Sequence, residues 1–423
     1  MKIYLSHLII IGIIFYILIY EIVFFFIDGT SFQPFTNFFK LFFPFVLLLY
    51  GGFNYRLIFR NKYTLYFLIF YSSFIAWLFV LNIIKDGFSF GFLEALRQLP
   101  RFIFLIGLVQ FFLREKGSKE KIIKIIVIYS LFITTMHLVL ILNPTMATVS
   151  LLGIEFAGPF GLFGNVNSRL YVPSFQTPIY RLAGWFNEPS NASAFLLASY
   201  FLSKSIQNNM PKTVIWKYSP IICLIGGLAT FSNAGYFAIG FSLTVISILS
   251  IKYFKHSQFI LKNYFIIVIA IIGIIIALFG RHYLVKEGID SETLSVITGA
   301  NKRYFDDPYY DPTAGRINLM NLTLEKITTH PLGIGFQQSA KDVPAGAPLF
   351  WLLLAGIPGV SLILSRESVI VFIAKKKYID REFIYQYGAL LTVMVQQSIY
   401  GQWNNAFYYL LISNLLVKIS TKQ

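Results

Sequence analysis

Long apolar runs recur about a dozen times along this chain, separated by short loops rich in lysine and arginine. A helix needs roughly 20 apolar residues to cross the hydrocarbon core of a bilayer. Inside that core only helices and closed barrels keep every backbone polar group paired. The pattern predicts an all-α polytopic membrane protein, a single integral domain over residues 1–423 with about 12 transmembrane helices. The expected spans lie near 4–27, 37–53, 63–84, 97–113, 122–143, 190–206, 215–231, 234–251, 263–280, 346–364, 383–400 and 402–418. The segment near 38–53 is short enough to be partly re-entrant, and 347–374 reads either as one long helix or as a helix plus an interfacial piece. Composition supports the class, because only 13% of residues are charged where a soluble domain carries about a quarter.

Cytoplasmic loops carry the excess of Lys and Arg. With an inside N-terminus, one set of loops holds Arg56, Arg60, Lys62, Arg114, Lys116, Lys119, Lys121, Lys124, Lys204, Lys212, Lys217, Lys252, Lys255 and Lys262, and the 365–382 segment adds Arg366, Lys375, Lys376, Lys377 and Arg381. The opposite short loops carry only Lys40, Lys85, Arg97 and Arg101. Both termini are therefore expected to be cytoplasmic, with two long loops, 144–190 and 281–345, facing outward. The net charge of +16 is largely this topogenic charge, and no compact basic domain exists to bind nucleic acid. Cys223 falls inside a span, and one cysteine permits no intramolecular disulfide. The first span runs into Asp28-Gly29 without a small-residue cleavage site and reads as a retained helix. No Walker-type phosphate loop and no His-Glu-x-x-His signature occurs.

The first long loop is rich in glycine, proline, asparagine and aromatic residues and closes on Arg181-Leu-Ala-Gly-Trp-Phe-Asn187-Glu188-Pro189. Proline suits the first turn of a helix, and Asn187 or Glu188 can cap it. Such a start points free N–H groups and a positive dipole end outward, which suits an anion. Arg181 would add a fork matched to phosphate oxygens, and Glu188 could take a proton from a hydroxyl. Equally, Arg181 and Glu188 could pair and pin the loop to the helix.

The second long loop contains Tyr304, Asp306, Asp307, Tyr309, Tyr310 and Asp311, then Thr313-Ala-Gly315-Arg316. Ile317, Met320, Leu324 and Ile327 follow at helical spacing. They predict an amphipathic interfacial helix over about 314–329, stopped by His330-Pro331. Arg316 in its first turn lies at headgroup depth, as a phosphate ligand or a snorkelling anchor. Gly333 and Gly335 allow a tight turn toward the next span. The tyrosines could stack on sugar rings. The three aspartates match no metal loop, so no metal site and no cofactor is expected. Arg97 and Arg101, one turn apart, could reach a lipid phosphate or anchor the fourth span. His330, beside a proline, is structural or a general base.

These segments resemble the bacterial O-antigen polymerases, the Wzy-type membrane glycosyltransferases, which share a superfamily with the O-antigen ligases. The matching stretches are Arg181-x-x-Gly184-x-x-x-Glu188-Pro189, Gly315-Arg316, and His330-Pro331-Leu-Gly333-Ile-Gly335, with Thr230-Phe-Ser232-Asn233-Ala-Gly235 similar to a Ser-rich segment that often carries arginine where Asn233 stands. The ligases place a His-Asn pair after the Gly-x-Gly segment; this chain has Asp342-Val-Pro344-Ala-Gly346 there, which favours polymerase. The resemblance implies a GT-C-like membrane glycosyltransferase of the bacterial inner membrane, working at the periplasmic face without metal. Its substrate would be an undecaprenyl-diphosphate-linked oligosaccharide, its surroundings the lipid bilayer, and a chain-length regulator protein its partner. Glu188, Arg181 and Arg316 would be catalytic. Arg97, Arg101, Asn187, Gly315, Tyr309, Tyr310 and His330 would bind diphosphate or sugar. A ligase acting on a lipid A-core acceptor, and a transporter or flippase of lipid-linked sugar, are the other readings. A transporter would concentrate charge near the bilayer midplane, whereas these spans read as nearly charge-free.

The loop charges predict that a cysteine placed at Ser291 is labelled from outside the cell and one at Ser257 is not. Labelling at Ser257, or protection at Ser291, would overturn the topology.

Overall fold

The computed structural model describes residues 2–21, 33–52, 62–96, 98–115, 117–142, 148–151, 154–157, 169–172, 177–180, 189–210, 213–230, 232–254, 321, 323–335, 347–373, 379–400 and 405–421. Within them the chain is predominantly helical. The helices are α1 (Lys2–Glu21), α2 (Gln33–Gly51), α3 (Lys62–Leu96), α4 (Gln98–Arg114), α5 (Ser118–Leu142), α6 (Pro189–Ile206), α7 (Val214–Leu228), α8 (Asn233–Phe254), α9 (Ala347–Ile373), α10 (Arg381–Tyr400) and α11 (Ala406–Thr421). Each covers one expected span; the expected span 263–280 lies outside the described residues. Two stretches, Lys62–Lys85 and Pro348–Ile373, are long and apolar enough to cross a membrane. Shorter apolar helices run over Tyr4–Ile17, Asn37–Gly51, Val214–Leu228, Ala234–Ser250 and Ala406–Ser420.

Several boundaries differ from the hydropathy reading. Helix α3 runs on to Leu96, well past the expected end at 84, because helical geometry does not require every residue to be apolar. Helix α5 starts at Ser118, so Lys119, Lys121 and Lys124 lie on its first turns and not in a loop. Helix α9 runs to Ile373, which takes Arg366 out of the loop to which the charge count assigns it. The described part of the first long loop forms two short antiparallel hairpins, β1 (Thr148–Leu151) with β2 (Ile154–Ala157) and β3 (Arg169–Val172) with β4 (Thr177–Tyr180).

Large apolar side chains lie both in the core and on the outer surface. Phe38, Phe42, Phe45 and Leu49 of α2 are exposed, as are Val214, Ile215, Tyr218, Ile221 and Ile225 of α7. Serine and threonine face inward. Ser130 donates to Ser199 at 2.8 Å across α5 and α6, Ser203 and Ser219 share a hydrogen bond of 2.5 Å across α6 and α7, and Thr392 donates to Ser242 at 3.0 Å across α10 and α8. Small hydroxyl residues let helices approach closely and supply interhelical bonds where apolar contact alone gives no driving force. Helices α2 and α4 run parallel, with Gly107 against Leu47 and Gly51 against Gln110. Helices α3 and α9 run antiparallel, with Trp77 against Ala355 and Phe67 against Arg366.

Helix α9 is two helical pieces joined at Gly356, whose φ is +68°. Pro358 follows in the first turn of the second piece, where its missing N–H costs nothing. A break inside an apolar assembly leaves backbone groups that need partners, and the segment after His330 supplies them. Ile357 N–H donates to Pro331 O at 2.9 Å, and Ile334 N–H donates to Leu353 O at 3.1 Å. Trp77 Nε1 donates to Ala355 O at 2.7 Å. The turn expected at Gly333 and Gly335 is present, with φ of +100° and +78°. Upstream, residues 323–329 are helical, the carboxyl end of the expected amphipathic helix. Thr323 and Ile327 are buried while Leu324 is exposed, so the inward face is narrower than the apolar spacing suggests. The expected residues 314–320 lie outside the described residues.

The two backbones meet too closely for side chains. A Cβ on Gly333 would lie 2.6 Å from Leu354 O, and one on Gly356 would lie 2.5 Å from Gly333 N. Gly356→Ala or Gly333→Ala should therefore destabilise the folded chain by roughly 1–3 kcal/mol, from positive φ together with backbone overlap. Thermal unfolding of the purified protein in detergent reads this, and Gly52→Ala, with nothing within 4 Å of its Cβ position, isolates the φ contribution alone. Equal effects at all three positions would remove the close approach as the cause.

Candidate functional site

An ion pair stands in the second piece of α9. Leu364-Ser-Arg366-Glu367-Ser-Val369 interrupts an apolar run with adjacent opposite charges, and both side chains are buried. Transferring charge out of water is unfavourable unless it is paired and hydrogen-bonded, and here both conditions hold. Arg366 Nε donates to Glu367 Oε1 at 2.7 Å, and Nη2 reaches the same oxygen. Tyr408 of α11 donates its hydroxyl hydrogen to Glu367 Oε2. The guanidinium carbon lies 4.8 Å from the ring centroid of Tyr71, 5.6 Å from Phe67 and 5.9 Å from Tyr408. Desolvated cation–π contacts of this kind contribute on the order of 2 kcal/mol.

Tyr71 continues the polar cluster toward the start of α4. Its hydroxyl shares a 2.5 Å hydrogen bond with that of Tyr409. Its ring packs edge-on against Phe102 at 5.3 Å. Arg101 precedes Phe102, is half-buried, and lies near enough for its charge to act on both Tyr71 and Tyr409. Arg101 Nη1 donates to Gln98 Oε1 at 3.2 Å, one turn earlier, and Gln98 is itself buried. Lys40 of α2 lies within the electrostatic reach of Arg101. Side chains from α2, α3, α4, α9 and α11 thus converge on one polar region of an otherwise apolar assembly.

A second cluster binds the first turns of α5 and α10 to the last turn of α11. Lys119 Nζ meets Glu382 Oε1 at 2.9 Å, and Lys418 Nζ meets Glu382 Oε2 at 2.5 Å and Asp380 Oδ1 at 3.0 Å. Burial would raise the Glu382 carboxyl, but Lys119 and Lys418 overcome it and hold the group below the usual carboxylate range. Lys119, counted as a topogenic charge, is therefore also a structural one.

Of the residues singled out from sequence, Arg101 and His330 are described. Arg97, Arg181, Asn187, Glu188, Tyr309, Tyr310, Gly315 and Arg316 lie outside the described residues. His330 is exposed; its backbone N–H donates to Lys326 O at 2.8 Å, and its carbonyl accepts from Gly333 N–H at 2.9 Å, so its backbone terminates a helix. In the Thr230–Gly235 segment, Thr230 Oγ1 donates to Gly227 O at 2.7 Å and Ser232 Oγ accepts from Gly235 N–H at 3.3 Å. These are cap bonds at the junction of α7 and α8. Among the described residues, no three His, Cys, Asp or Glu side chains gather closely enough to hold a metal ion. The Arg366–Glu367 pair was legible in sequence as opposite neighbours inside an apolar run. The lysines that follow at 375–377 masked it by extending the apparent basic loop upstream. No protein-family model matches this chain, and no curated protein matches it.

Removing one member of the pair leaves an uncompensated charge in an apolar interior. Glu367→Gln and Arg366→Met should each cost about 3–5 kcal/mol. The double variant should lose clearly less than the sum, because no lone charge remains. Thermal unfolding of all three in detergent checks this, and additive losses would show that the pair is not coupled.

Proposed function

We propose that this chain is a polytopic inner-membrane glycosyltransferase of the surface-polysaccharide polymerase type. In this reading it transfers a growing glycan from undecaprenyl diphosphate to the non-reducing end of a lipid-linked repeat unit, at the periplasmic face. The many exposed large apolar side chains and the two helices of crossing length support the membrane setting. The observation that carries the reading is the seating of His330–Gly335. This segment is fastened to the break in α9 by two backbone hydrogen bonds, so the end of the second long loop is fixed against the helical core. A loop anchored in this way can hold a reactive constellation, which catalysis by orientation demands.

The chemistry follows from the charges. A diphosphate leaving group gathers negative charge as the glycosidic bond breaks, and guanidinium groups stabilise it. Arg181 and Arg316 take that role, with Arg97 and Arg101 binding the lipid-linked diphosphate. Glu188 accepts the proton of the acceptor hydroxyl as the new bond forms. A transporter would carry working charge deep within its helices, and the buried Arg366–Glu367 pair is such a charge, contrary to the charge-free spans the sequence suggests. The pair, however, is neutral as a unit and is bonded by Tyr408 and stacked on Tyr71. Those contacts fit a structural tie between α3, α9 and α11 better than a translocation site, and favour the polymerase.

Extension of a lipid-diphosphate repeat unit by the purified protein tests this directly. Glu188→Gln should keep thermal stability and slow transfer by roughly 10²–10⁴-fold, the range for losing one general base. Arg316→Ala should abolish extension while the protein stays in the membrane, with Arg316→Lys restoring it only in part, because an ammonium cannot make the two-pronged contact. Full extension by Glu188→Gln and Arg316→Ala would remove both residues from the mechanism.

A further inference from the structure

The ionic clasp at the first turn of α10 covers a group of amides whose hydrogen bonding is incomplete. Glu382 is the hub of the clasp. Its Oε1 accepts from Lys119 Nζ and, at 2.8 Å, from Gln386 Nε2, while its Oε2 accepts from Lys418 Nζ. The first turn of α10 meets the last turn of α11, so these consecutive helices run antiparallel. Gln386 stands one turn further along α10 than Glu382, and Asn414 stands one turn back along α11 from Lys418. Residues four apart share a helix face, and four residues rise about 6 Å. Both steps lead the same way from the ion pair, so the register brings Gln386 and Asn414 to one level between the two helices. Each residue is only 1% exposed. Among the described residues, Gln386 Oε1 has no hydrogen-bond partner, and neither Oδ1 nor Nδ2 of Asn414 has one. Turning the Asn414 amide over changes nothing, because both of its ends are unpaired. Turning the Gln386 amide over would break its bond to Glu382 and set two oxygens together. Buried amide groups left in this way are unfavourable and call for a partner between them.

We propose that Gln386 and Asn414 form an internal water site between α10 and α11, closed at the helix ends by the clasp of Lys119, Asp380, Glu382 and Lys418. The unpaired groups specify the ligand. Two amide oxygens need donors and one amide nitrogen needs an acceptor, so the occupant must both donate and accept. A cation would lie one turn from the Lys418 ammonium, and an anion would face two amide oxygens. A neutral molecule is left, and water meets the demand in the smallest space. Buried waters of this kind typically make about three hydrogen bonds to groups that otherwise have none. One water accepts from Asn414 Nδ2 and donates to Gln386 Oε1, and a second donates to Asn414 Oδ1. The water ties the two helices one turn in from their ion pair, where direct side-chain bonds are missing. The site stands independently of the reaction the chain catalyses.

Radiolytic hydroxyl labelling of the full chain in detergent tests this, because water held inside a protein yields radicals that oxidise the side chains beside it. Leu410 and Leu411 lie one turn from Asn414 and are fully buried, as is Leu243 on α8. In the unmodified protein Leu410 and Leu411 should be oxidised clearly faster than Leu243, and Asn414→Leu should bring their rates down to that of Leu243. Thermal unfolding gives a second reading. A dry site would make Asn414→Leu stabilising, since it removes two unpaired buried atoms. A hydrated site makes the same replacement lower the unfolding temperature, because the bridge to Gln386 is lost. Gln386→Met together with Asn414→Leu should then lower it by less than the sum of the two single changes. Oxidation of Leu410 and Leu411 no faster than that of Leu243 overturns the water site, and that comparison needs no variant to fold. A rise in unfolding temperature for Asn414→Leu, or labelling that this variant leaves unchanged, overturns it as well.

Discussion

A guanidinium taken out of water must find partners on every side, and the centre of this assembly is arranged around that demand. Arg366 is satisfied by its own neighbour Glu367, by the rings of Tyr71 and Phe67 from α3, and by Tyr408 from α11 acting through the carboxylate. These contacts join three helices that the connectivity of the chain leaves far apart. Such a pair contributes less to net stability than its number of contacts suggests, because desolvation opposes the gain. Its main effect is on specificity: a shift of α9 by one residue against α3 would leave a charge without partners, and that penalty fixes the register.

The same register positions the polar cluster around Tyr71. Tyr71 has Arg366 over its ring and shares a hydroxyl hydrogen bond with Tyr409, and Arg101 lies near enough for its charge to act on both phenols. One element thus links the buried ion pair to Arg101 near the start of α4. Nearby, Trp77 on the same helix α3 donates to Ala355 at the break of α9, where the His330–Gly335 segment is fastened. Helix α3 therefore serves both as support for the polar cluster and as a support for the end of the second long loop. A site built on such a support needs little reorganisation when substrate arrives, which is how preorganised charge lowers a barrier.

Hydroxyl contacts complete the assembly. Ser130 with Ser199, Ser203 with Ser219 and Thr392 with Ser242 join α5, α6, α7, α8 and α10 by short hydrogen bonds. Many apolar side chains of α2 and α7 face outward, while others, such as Phe43, Leu47 and Leu224, pack inward. In an apolar solvent this division is the stable one, since hydrocarbon outside is as good a partner for leucine as hydrocarbon inside, and hydroxyls gain only by turning inward.

Sequence alone determined where the helices lie. Hydropathy periods are local, and each of α1 to α11 falls on one expected span, with helix α5 starting earlier and helices α3 and α9 ending later than hydropathy indicates. The glycines of His330-Pro331-Leu-Gly333-Ile-Gly335 were also legible as a tight turn, because positive φ is a property of single residues. Arg101 was legible as a charge at the outer end of the fourth span, one turn from Arg97, because helical spacing and the limits of an apolar run are local. What the sequence could not give is the meaning of Arg366, of the Gly356 break, or of Tyr71 and Tyr409. Each depends on groups distant in the chain: the two tyrosines stand 338 residues apart, and the break is paired by the segment after His330, outside its own helix. A buried charge and a solvated one look alike until a neighbouring helix covers them, and a break in a helix looks like a defect until another segment pairs its backbone. Only tertiary packing decides which polar groups lose water, and with water lost, which partners they must have.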